Sequence, residues 1–271
     1  MIPVIIIHKG FSDYLNHTIA QANKNNFVYF ISDNNPNINL PNFEYIDISS
    51  LSNGLEFFKK NYVHLNTTPY DYELFCYYRW IVLENFMVQR NLDVIFYIDS
   101  DVLLFVDVNE EWLKFNQYEM TLLHRTAAIS SFITMNAITN FNNLLINIYT
   151  NRNSYPFKKI ESHYKVRQEC GLMGGVCDMT ILEYFHYNTD SGGGPGRIGE
   201  MMIITNDSTY DHNINTKDQD FAFKNSTKEV TIIDKIPYVF NEKLNKLIKF
   251  NSLHFQGNSK HLISKIYDQC N

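Results

Sequence analysis

Two aspartates separated by a single residue follow an apolar run in the middle of the chain. Asp99 and Asp101 flank Ser100, directly after Val94–Ile98. Two neighbouring carboxylates beside a buried strand are costly unless a cation compensates their charge. Mg²⁺ and Mn²⁺ take oxygen ligands from one or two carboxylates together with substrate phosphates. The spacing therefore predicts a metal site that receives a phosphate-bearing ligand, and an ordinary acidic turn at a strand end is the alternative.

The strand before the acidic pair belongs to a predicted parallel sheet. Residues 2–7 and 27–31 are apolar runs typical of buried strands, and residues 13–23 between them have helical spacing. Strand, helix and strand with short polar links begin a Rossmann-like parallel sheet. The run Val94–Ile98 is apolar throughout, as in strands that are buried on both faces. Because ligands bind at the carboxyl ends of such strands, the acidic pair lies at the expected binding edge.

The remaining apolar patterns complete an α/β fold with helices flanking a mostly parallel central sheet. Further helices are predicted over residues 70–89, 136–145, 178–186 and 261–268. Further strands are predicted over residues 44–48, 120–123, 230–233 and 253–256, the first of them at an edge. A length of 271 residues suits one large core, so residues 1–271 are predicted to form a single domain.

Composition excludes several classes of protein. With 45% hydrophobic and 19% charged residues, the chain is typical of globular rather than disordered proteins. A formal charge of −6 argues against nucleic-acid binding, which normally needs a basic excess. The four cysteines form no CxxC pair and no zinc spacing, which favours reduced thiols in a cytosolic protein. Residues 1–7 are too short an apolar run for a signal peptide or a membrane span. We expect a cytoplasmic protein with at most peripheral contact with a membrane.

The segment FYIDSDVLLF, residues 96–105, resembles the DxD segment of GT-A glycosyltransferases. The resemblance implies a GT-A fold in which Asp99 and Asp101 bind the metal and Ser100 lies beside the nucleotide. In that fold a helix that carries an arginine commonly precedes the DxD strand, and YYRWIVLENF is similar to it. Arg79 then supports the nucleotide or the first aspartate; a surface arginine is the alternative.

The segment LHFQGNSK, residues 253–260, resembles the HxxGxxK segment of the glycogenin and bacterial galactosyltransferase group, although this chain continues His261-Leu262 where that group has Pro-Trp. The resemblance implies that His254 is the third metal ligand and that Gly257 and Lys260 hold the diphosphate. An imidazole suits a mixed oxygen and nitrogen shell around Mn²⁺, and glycine lets a backbone approach a phosphate closely. A satisfied surface histidine is the alternative. The resemblance also favours retention of the anomeric configuration.

The segment GGVCDMT, residues 174–180, resembles a segment of bacterial surface-polysaccharide transferases. This resemblance implies that Asp178 acts on the acceptor side of the reaction. A helix N-cap is the alternative, because aspartate is common there. In GT-A enzymes the loops after the first two strands meet the base and ribose, which implies nucleotide contacts for Lys9, Tyr14 and Asp33. By the same resemblance, residues 1–135 form the nucleotide-binding half and residues 136–271 the acceptor-side half.

Three other features have simpler interpretations. The acidic pair Asp218 and Asp220 stands in a polar setting that favours a solvated turn. The Gly-rich stretch 191–196 indicates a loop, and no Gly-Lys-Ser/Thr follows it as in a P-loop. The pair at 124–125 either faces the donor sugar or lies on the rim.

The resemblances imply a metal-dependent hexosyltransferase of polysaccharide biosynthesis. Its partners would be a nucleoside diphosphate sugar and a glycan or glycolipid acceptor, and UDP is the expected nucleotide. Its cofactor would be Mn²⁺ or Mg²⁺. A sugar-phosphate nucleotidyltransferase is one alternative; it usually has a Gly-rich basic loop after the first strand, where this chain has only Gly10. A non-catalytic nucleotide-sugar-binding module is the other, and it would not need Asp99, Asp101, His254 and Lys260 together.

Overall fold

The computed structural model describes residues 1–124, 126–187, 198–205 and 207–271. The α-helices within these ranges are α1 (Leu15–Asn23), α2 (Leu55–Asn61), α3 (Tyr70–Arg90), α4 (Val108–Phe115), α5 (Met135–Thr150), α6 (Tyr155–Glu169), α7 (Asp178–Tyr187) and α8 (Leu262–Gln269). The strands are β1 (Val4–His8), β2 (Val28–Ser32), β3 (Phe43–Asp47), β4 (Val94–Ile98), β5 (Val102–Leu104), β6 (Met120–Leu122), β7 (Ser130–Thr134), β8 (Ile198–Glu200), β9 (Ser208–Tyr210), β10 (Phe223–Lys224), β11 (Thr227–Lys228), β12 (Val230–Ile233), β13 (Ile236–Asn241) and β14 (Lys246–His254).

A seven-stranded sheet has the strand order β3-β2-β1-β4-β7-β6-β8. Strand β1 pairs in parallel with β2 and β4, and β3 pairs in parallel with β2 at the edge of the sheet. Only β7 runs against its neighbours, β4 and β6. The predicted mostly parallel central sheet is therefore confirmed, and the edge position predicted for β3 is confirmed with it.

The central strands carry apolar side chains on both faces, and helices cover both faces. Ile5 and Ile7 of β1 belong to the core that includes Trp80 of α3, together with residues of α5 and α7. Val4 and Ile6 face the opposite core, which α1 and α4 close. This alternation follows from the two-residue period of a strand, and it explains the unbroken apolar run in the sequence.

Helix α3, with 21 residues, is the longest helix in the described part of the chain. It ends at Asn91, which has the left-handed φ of 52° that asparagine tolerates, and the Asn91 N–H donates to the carbonyl of Val88. Its buried face carries Tyr77, Trp80 and Phe86. None of the helices in the described part of the chain combines the length and the apolar character needed to cross a membrane.

A second sheet with the order β12-β13-β14-β5 lies beside the first, and β9 pairs with β14. The turn between β12 and β13 has positive φ at Asp234 and Lys235, as a type I′ hairpin requires. Strand β14 has nine residues, so the prediction of a short strand over 253–256 was wrong about its extent. Its last residues pair with β5, and His254 lies opposite Val102. This pairing brings the end of the chain to the acidic pair.

Candidate metal centre

The acidic pair occupies the turn that leads from the first sheet to the second. Asp99 follows β4, and its N–H donates to the carbonyl of Ile129 (2.8 Å). Its Oδ1 accepts from the N–H of Ser100 (2.9 Å), and its carbonyl accepts from the N–H of Val102 (3.2 Å). These bonds hold both carboxylates at the carboxyl edge of the parallel strands, where ligands bind in such sheets.

Asp101 contacts two cationic side chains from the C-terminal segment. Its Oδ1 lies 3.3 Å from Nε2 of His254, and its Oδ2 lies 3.1 Å from Nζ of Lys260. The backbone carbonyl of Asp101 accepts from the N–H of Phe255 (3.0 Å), which continues the β5–β14 ladder. The side chains of Asp101 and His254 are buried, whereas that of Lys260 is 39% exposed. Lys260 therefore has free surface on which to meet a ligand.

Asp99, Asp101 and His254 fit a divalent cation. One ligand atom from each lies within 4.8 Å of the others. Oδ1 of Asp101 is buried and faces Nε2 of His254 at 3.3 Å, so these two atoms could share a cation. Nδ1 of His254 lies 2.6 Å from the carbonyl of His212, which can only accept, so Nδ1 carries the proton. Nε2 is then the nitrogen that faces the carboxylates and can bind a cation once it gives up its proton, as in metal-binding histidines whose other nitrogen is held by an acceptor.

The electrostatics of the three ligands are coupled. Burial alone would lower the pKa of His254, but its hydrogen bond with Asp101 and the negative charge there raise it to about 9. Burial opposes ionisation of Asp101, yet His254 and Lys260 hold the pKa of its carboxyl below the usual value. Partial burial and the neighbouring charge of Asp101 raise the pKa of Asp99. Without a metal, the protonated imidazole of His254 compensates one of the two carboxylate charges.

Asp99 is supported from the helical side of the site. Nη1 of Arg79 lies 3.7 Å from Oδ2 of Asp99, and Nε of Arg79 donates to Oδ2 of Asp178 (3.0 Å). Nη2 of Arg79 also pairs with that oxygen, and Nε1 of Trp80 donates to it (2.9 Å). Arg79 is thus buried rather than exposed on the surface of α3.

Asp178 is the first residue of α7, and it is 1% exposed. Its Oδ1 accepts from the N–H of Met179 (2.9 Å), while its Oδ2 is occupied by Arg79 and Trp80. The structure therefore connects Asp178 to Asp99 through Arg79. Its predicted action on the acceptor side stays a prediction.

The loops after β1 and β2 meet beside the acidic pair. The N–H of Gly10 donates to Oδ1 of Asp33 (2.6 Å), which ties one loop to the other. Asp33 and Lys9 are exposed on these loops. Phe11, in the loop after β1, is 60% exposed, and no role was predicted for it from the sequence.

Two of the residues predicted to contact the nucleotide, Tyr14 and Ser100, lie next to Lys260 and Asp99 respectively. The hydroxyl of Tyr14 lies 3.4 Å from Nζ of Lys260, and the ammonium lies 5.2 Å from the centre of the Tyr14 ring. Oγ of Ser100 is 2.9 Å from Nδ1 of His8. Burial and the charge of Lys260 lower the pKa of His8, which keeps that imidazole neutral.

Gly257 begins the short 3₁₀ turn Gly257–His261 that ends with Lys260 and His261. Its φ is +62°, a conformation that disfavours any residue with a Cβ. Nothing lies within 4 Å of the position that a Cβ would occupy. Open space here is compatible with the predicted approach of the backbone to a diphosphate.

Sequence reasoning missed the support behind His254. Asp211 and His212 contact His254, and Lys228 pairs with Asp211; none of these three residues belongs to a motif. The prediction of a solvated turn was wrong for Asp218, whose side chain is 18% exposed and pairs with Lys228 (3.0 Å). Asp220 is exposed, as predicted. The Gly-rich stretch 191–196 and Arg125 lie outside the described residues.

No protein-family model matches the chain, and no curated protein matches it significantly. An active-site mutant of LgtC is 11% identical with a TM-score of 0.46, and 98% of this chain covers 95% of it. The bifunctional glycosyltransferase WbbM is 12% identical with a TM-score of 0.45; the match covers 99% of this chain but only 49% of WbbM. Mouse xyloside xylosyltransferase 1 is 8% identical with a TM-score of 0.43, with 76% of this chain covering 87% of it. These likenesses are weak, so we interpret the site from its own side chains.

Proposed function

We propose that the chain is a metal-dependent glycosyltransferase of the GT-A type. It transfers a hexosyl group from a nucleoside diphosphate sugar, with UDP as the nucleotide, to a glycan or glycolipid acceptor in polysaccharide biosynthesis. One observation carries the proposal. Asp99, Asp101 and His254 converge at the carboxyl edge of a parallel sheet with the partly exposed Lys260 beside them.

The four side chains have complementary parts in this reaction. Asp99, Asp101 and His254 hold Mn²⁺ or Mg²⁺, since two carboxylates and one imidazole suit either ion. A divalent cation there supplies charge that stabilises a departing diphosphate. Lys260 adds a second positive charge on the exposed side of the cluster, where its ammonium meets the diphosphate oxygens. Gly257 leaves the neighbouring backbone open to the same group.

The nucleoside lies against the loops after β1 and β2. Tyr14 sits next to Lys260, and Lys9 and Asp33 are exposed on the adjoining loops. Ser100 follows the first metal-binding aspartate, within reach of the same ligand. Arg79 orients Asp99, and Asp178 holds Arg79 in place, so Asp178 is a positioning residue in this proposal.

The acceptor approaches over the α6–α7 side. Leu172 and Met173 there are 52% and 77% exposed, and they follow α6, whose exposed face carries Lys158 and Lys159. Exposed apolar side chains after the end of a helix that carries exposed lysines suit a glycolipid acceptor and peripheral contact with an anionic membrane from the cytoplasm. Retention of the anomeric configuration belongs to the proposal and rests on the resemblance of the C-terminal segment.

The test is incubation of the purified protein with UDP-sugars and Mn²⁺, followed by measurement of free UDP and of transferred sugar. We expect release of UDP that stops when EDTA removes the metal. An Asp207→Asn variant is the matched control, because Asp207 is 66% exposed in an ion pair far along β14 from His254. It should behave as wild type.

Other outcomes would identify the alternatives. Pyrophosphate formed from UTP and a sugar phosphate would indicate a nucleotidyltransferase. Tight binding of UDP-sugars without turnover toward any acceptor would indicate a binding module. UDP release that persists in EDTA would remove the metal from the proposal.

A further inference from the structure

A lysine is buried behind the metal centre. Lys228 is the last residue of β11, and its side chain is 1% exposed. Its Nζ lies 2.8 Å from Oδ1 of Asp211 and 3.0 Å from Oδ1 of Asp218, and it donates to the carbonyl of Asn213 (2.7 Å). Lysines are almost never buried so fully unless they are paired, because desolvating the charge is costly. Strand β11 has only two residues, and an apolar residue could fill this place at lower cost.

The segment bound by Lys228 is the one that holds His254. Oδ2 of Asp211 accepts from the backbone N–H of His254 (3.1 Å). The carbonyl of His212 accepts from Nδ1 of the His254 ring (2.6 Å), and the N–H of Ile214 donates to the His254 carbonyl (3.0 Å). Residues 211–214 therefore contact the backbone and the ring of the histidine.

Lys228 fixes this segment at both ends. Its ammonium binds the Asp211 side chain and the Asn213 carbonyl, which flank His212, and its own N–H donates to the carbonyl of Ile214 (2.8 Å). The ladder between β9 and β14 ends at Tyr210, and one further backbone bond follows it, from the N–H of Asp211 to the carbonyl of Ser252 (3.3 Å). Beyond that strand, the position of the His212 carbonyl depends on contacts of this kind.

We propose that the buried Lys228–Asp211 ion pair is a positioning device for the metal. It holds the His212 carbonyl against Nδ1 of His254, which fixes the ring with Nε2 facing Asp99 and Asp101. Without the pair, the carbonyl is free to move, and the ring can rotate or carry its proton on Nε2, which no longer binds a cation. Partners of this kind typically change metal affinity by about 10–100-fold. This inference rests on the proposed function, since it presumes that His254 binds a metal.

The test compares Lys228→Met with wild type by direct measurement of Mn²⁺ binding, using electron paramagnetic resonance without nucleotide sugar. We expect the dissociation constant for Mn²⁺ to rise about 10–100-fold. At saturating Mn²⁺ the turnover rate should recover most of its wild-type value, which a general structural defect would not permit. Lys228→Arg keeps the charge and should restore much of the affinity.

Lys246→Met is the matched control. Lys246 forms an ion pair with Asp207 at the start of the same strand, β14, but the two side chains are 44% and 66% exposed. Loss of this pair should leave the Mn²⁺ affinity unchanged. If Lys228→Met does not fold, the double variant Lys228→Met/Asp211→Asn removes both buried charges and takes its place.

Two results would overturn the inference. One is a folded Lys228 variant, single or double, that binds Mn²⁺ within twofold of wild type. The other is wild-type protein, saturated with Mg²⁺, whose His254 carries its ring proton on Nε2 in nitrogen-15 spectra; this measurement decides the question even if no variant folds. Wild-type protein that binds no Mn²⁺ at all would instead contradict the proposed function.

Discussion

The two aspartates of the site are separated by one residue, yet different regions of the molecule support them. Asp99 is held from the helices, by Arg79 of α3 and, behind it, Asp178 of α7. Asp101 is held from the second sheet and the turn after it, by His254 and Lys260. The side chain of Asp99 is 32% exposed and that of Asp101 is 7% exposed.

The balance of charge differs in the same way. Arg79 is shared between two carboxylates, and its guanidinium lies closer to Asp178 than to Asp99. Asp101 faces two cationic groups. Burial and the charge of Asp101 accordingly raise the pKa of Asp99, whereas His254 and Lys260 lower that of Asp101. The comparison indicates that Asp101 anchors the site and that the charge of Asp99 is the less compensated of the two, so a bound cation would stabilise it more.

Removing the anchor should have the largest effect. Asp101→Asn leaves His254 and Lys260 without their shared counter-charge and removes a metal ligand, so we expect turnover to fall by about 10³-fold. Asp99→Asn should cost about 10²-fold, because the other two ligands remain supported from the second sheet. Steady-state rates at saturating Mn²⁺ measure both. Near-normal turnover in both variants would show that the acidic pair is structural.

The helical side is expected to matter more for stability. Asp178→Asn leaves the buried Arg79 without its closest counter-charge, so the free energy of unfolding should fall by about 2–4 kcal/mol in urea titrations. Affinity for UDP should stay close to wild type while transfer becomes slower. Glu44→Gln is the control, since its ion pair with Arg90 is exposed and should contribute under about 1 kcal/mol. An equal decrease in the free energy of unfolding in the two variants would contradict the role of Asp178 as the buried partner of Arg79.

On the sheet side, Lys260→Ala should weaken UDP-sugar binding by about 1.5–3 kcal/mol, the contribution of a charge-assisted contact. Affinity for uridine should be unchanged, because the nucleoside lacks the diphosphate. Calorimetric titration of uridine, UDP and UDP-sugar separates these contributions. Lys265→Ala, an exposed lysine of α8, is the control. If the affinity of the variant for uridine falls as much as its affinity for UDP, the substitution has disturbed the fold rather than a diphosphate contact.

The pKa of about 9 for His254 makes metal binding depend on pH. This pKa is above the value of 6.5 for free imidazole, so protonation stabilises the metal-free protein fully below pH 6.5, and that contribution is lost as the pH rises through 9. Mn²⁺ must displace the proton, so its affinity should rise about tenfold per pH unit between about pH 7 and 8.5. Mn²⁺ titrations across this range measure the slope, and a flat profile would exclude His254 as a ligand.

The smallest expected effect concerns the backbone at Gly257. Gly257→Ala forces a Cβ onto a residue with φ of +62°, which should cost about 1 kcal/mol of stability. Gly54→Ala, with φ of +80° at the start of α2, should cost about the same. Only the first variant should lose affinity for UDP-sugars. Equal affinities in the two variants would place the 257–260 turn outside the donor site.

The sequence was most informative where local patterns and local structure coincide. The apolar runs of β1, β2 and β4 predicted the parallel sheet, and the position of Asp99 directly after β4 predicted its place at the binding edge. Helix α3 was predicted to within one residue of its end. Helix α6 was not predicted, because most of its residues are polar and its few apolar residues show no clear helical period in the sequence.

The support around His254 could not be predicted from local patterns. Lys228 lies in a two-residue strand, and its sequence neighbours give no sign that its ammonium is buried. The acceptor at His212 is its backbone carbonyl, and any other residue at that position would supply the same group. Both depend on how β9, β11 and β14 come together, which is a property of the tertiary fold.

The pairing of β5 with β14 also sets the order in which the site is assembled. His254 must be placed opposite Val102, which closes a loop of about 150 residues at a cost in conformational entropy. During synthesis, strands β1 to β4 and β7 leave the ribosome well before His254 does. A nascent chain therefore carries both carboxylates without the imidazole of His254, and the three groups of the candidate metal site come together only when β14 has docked.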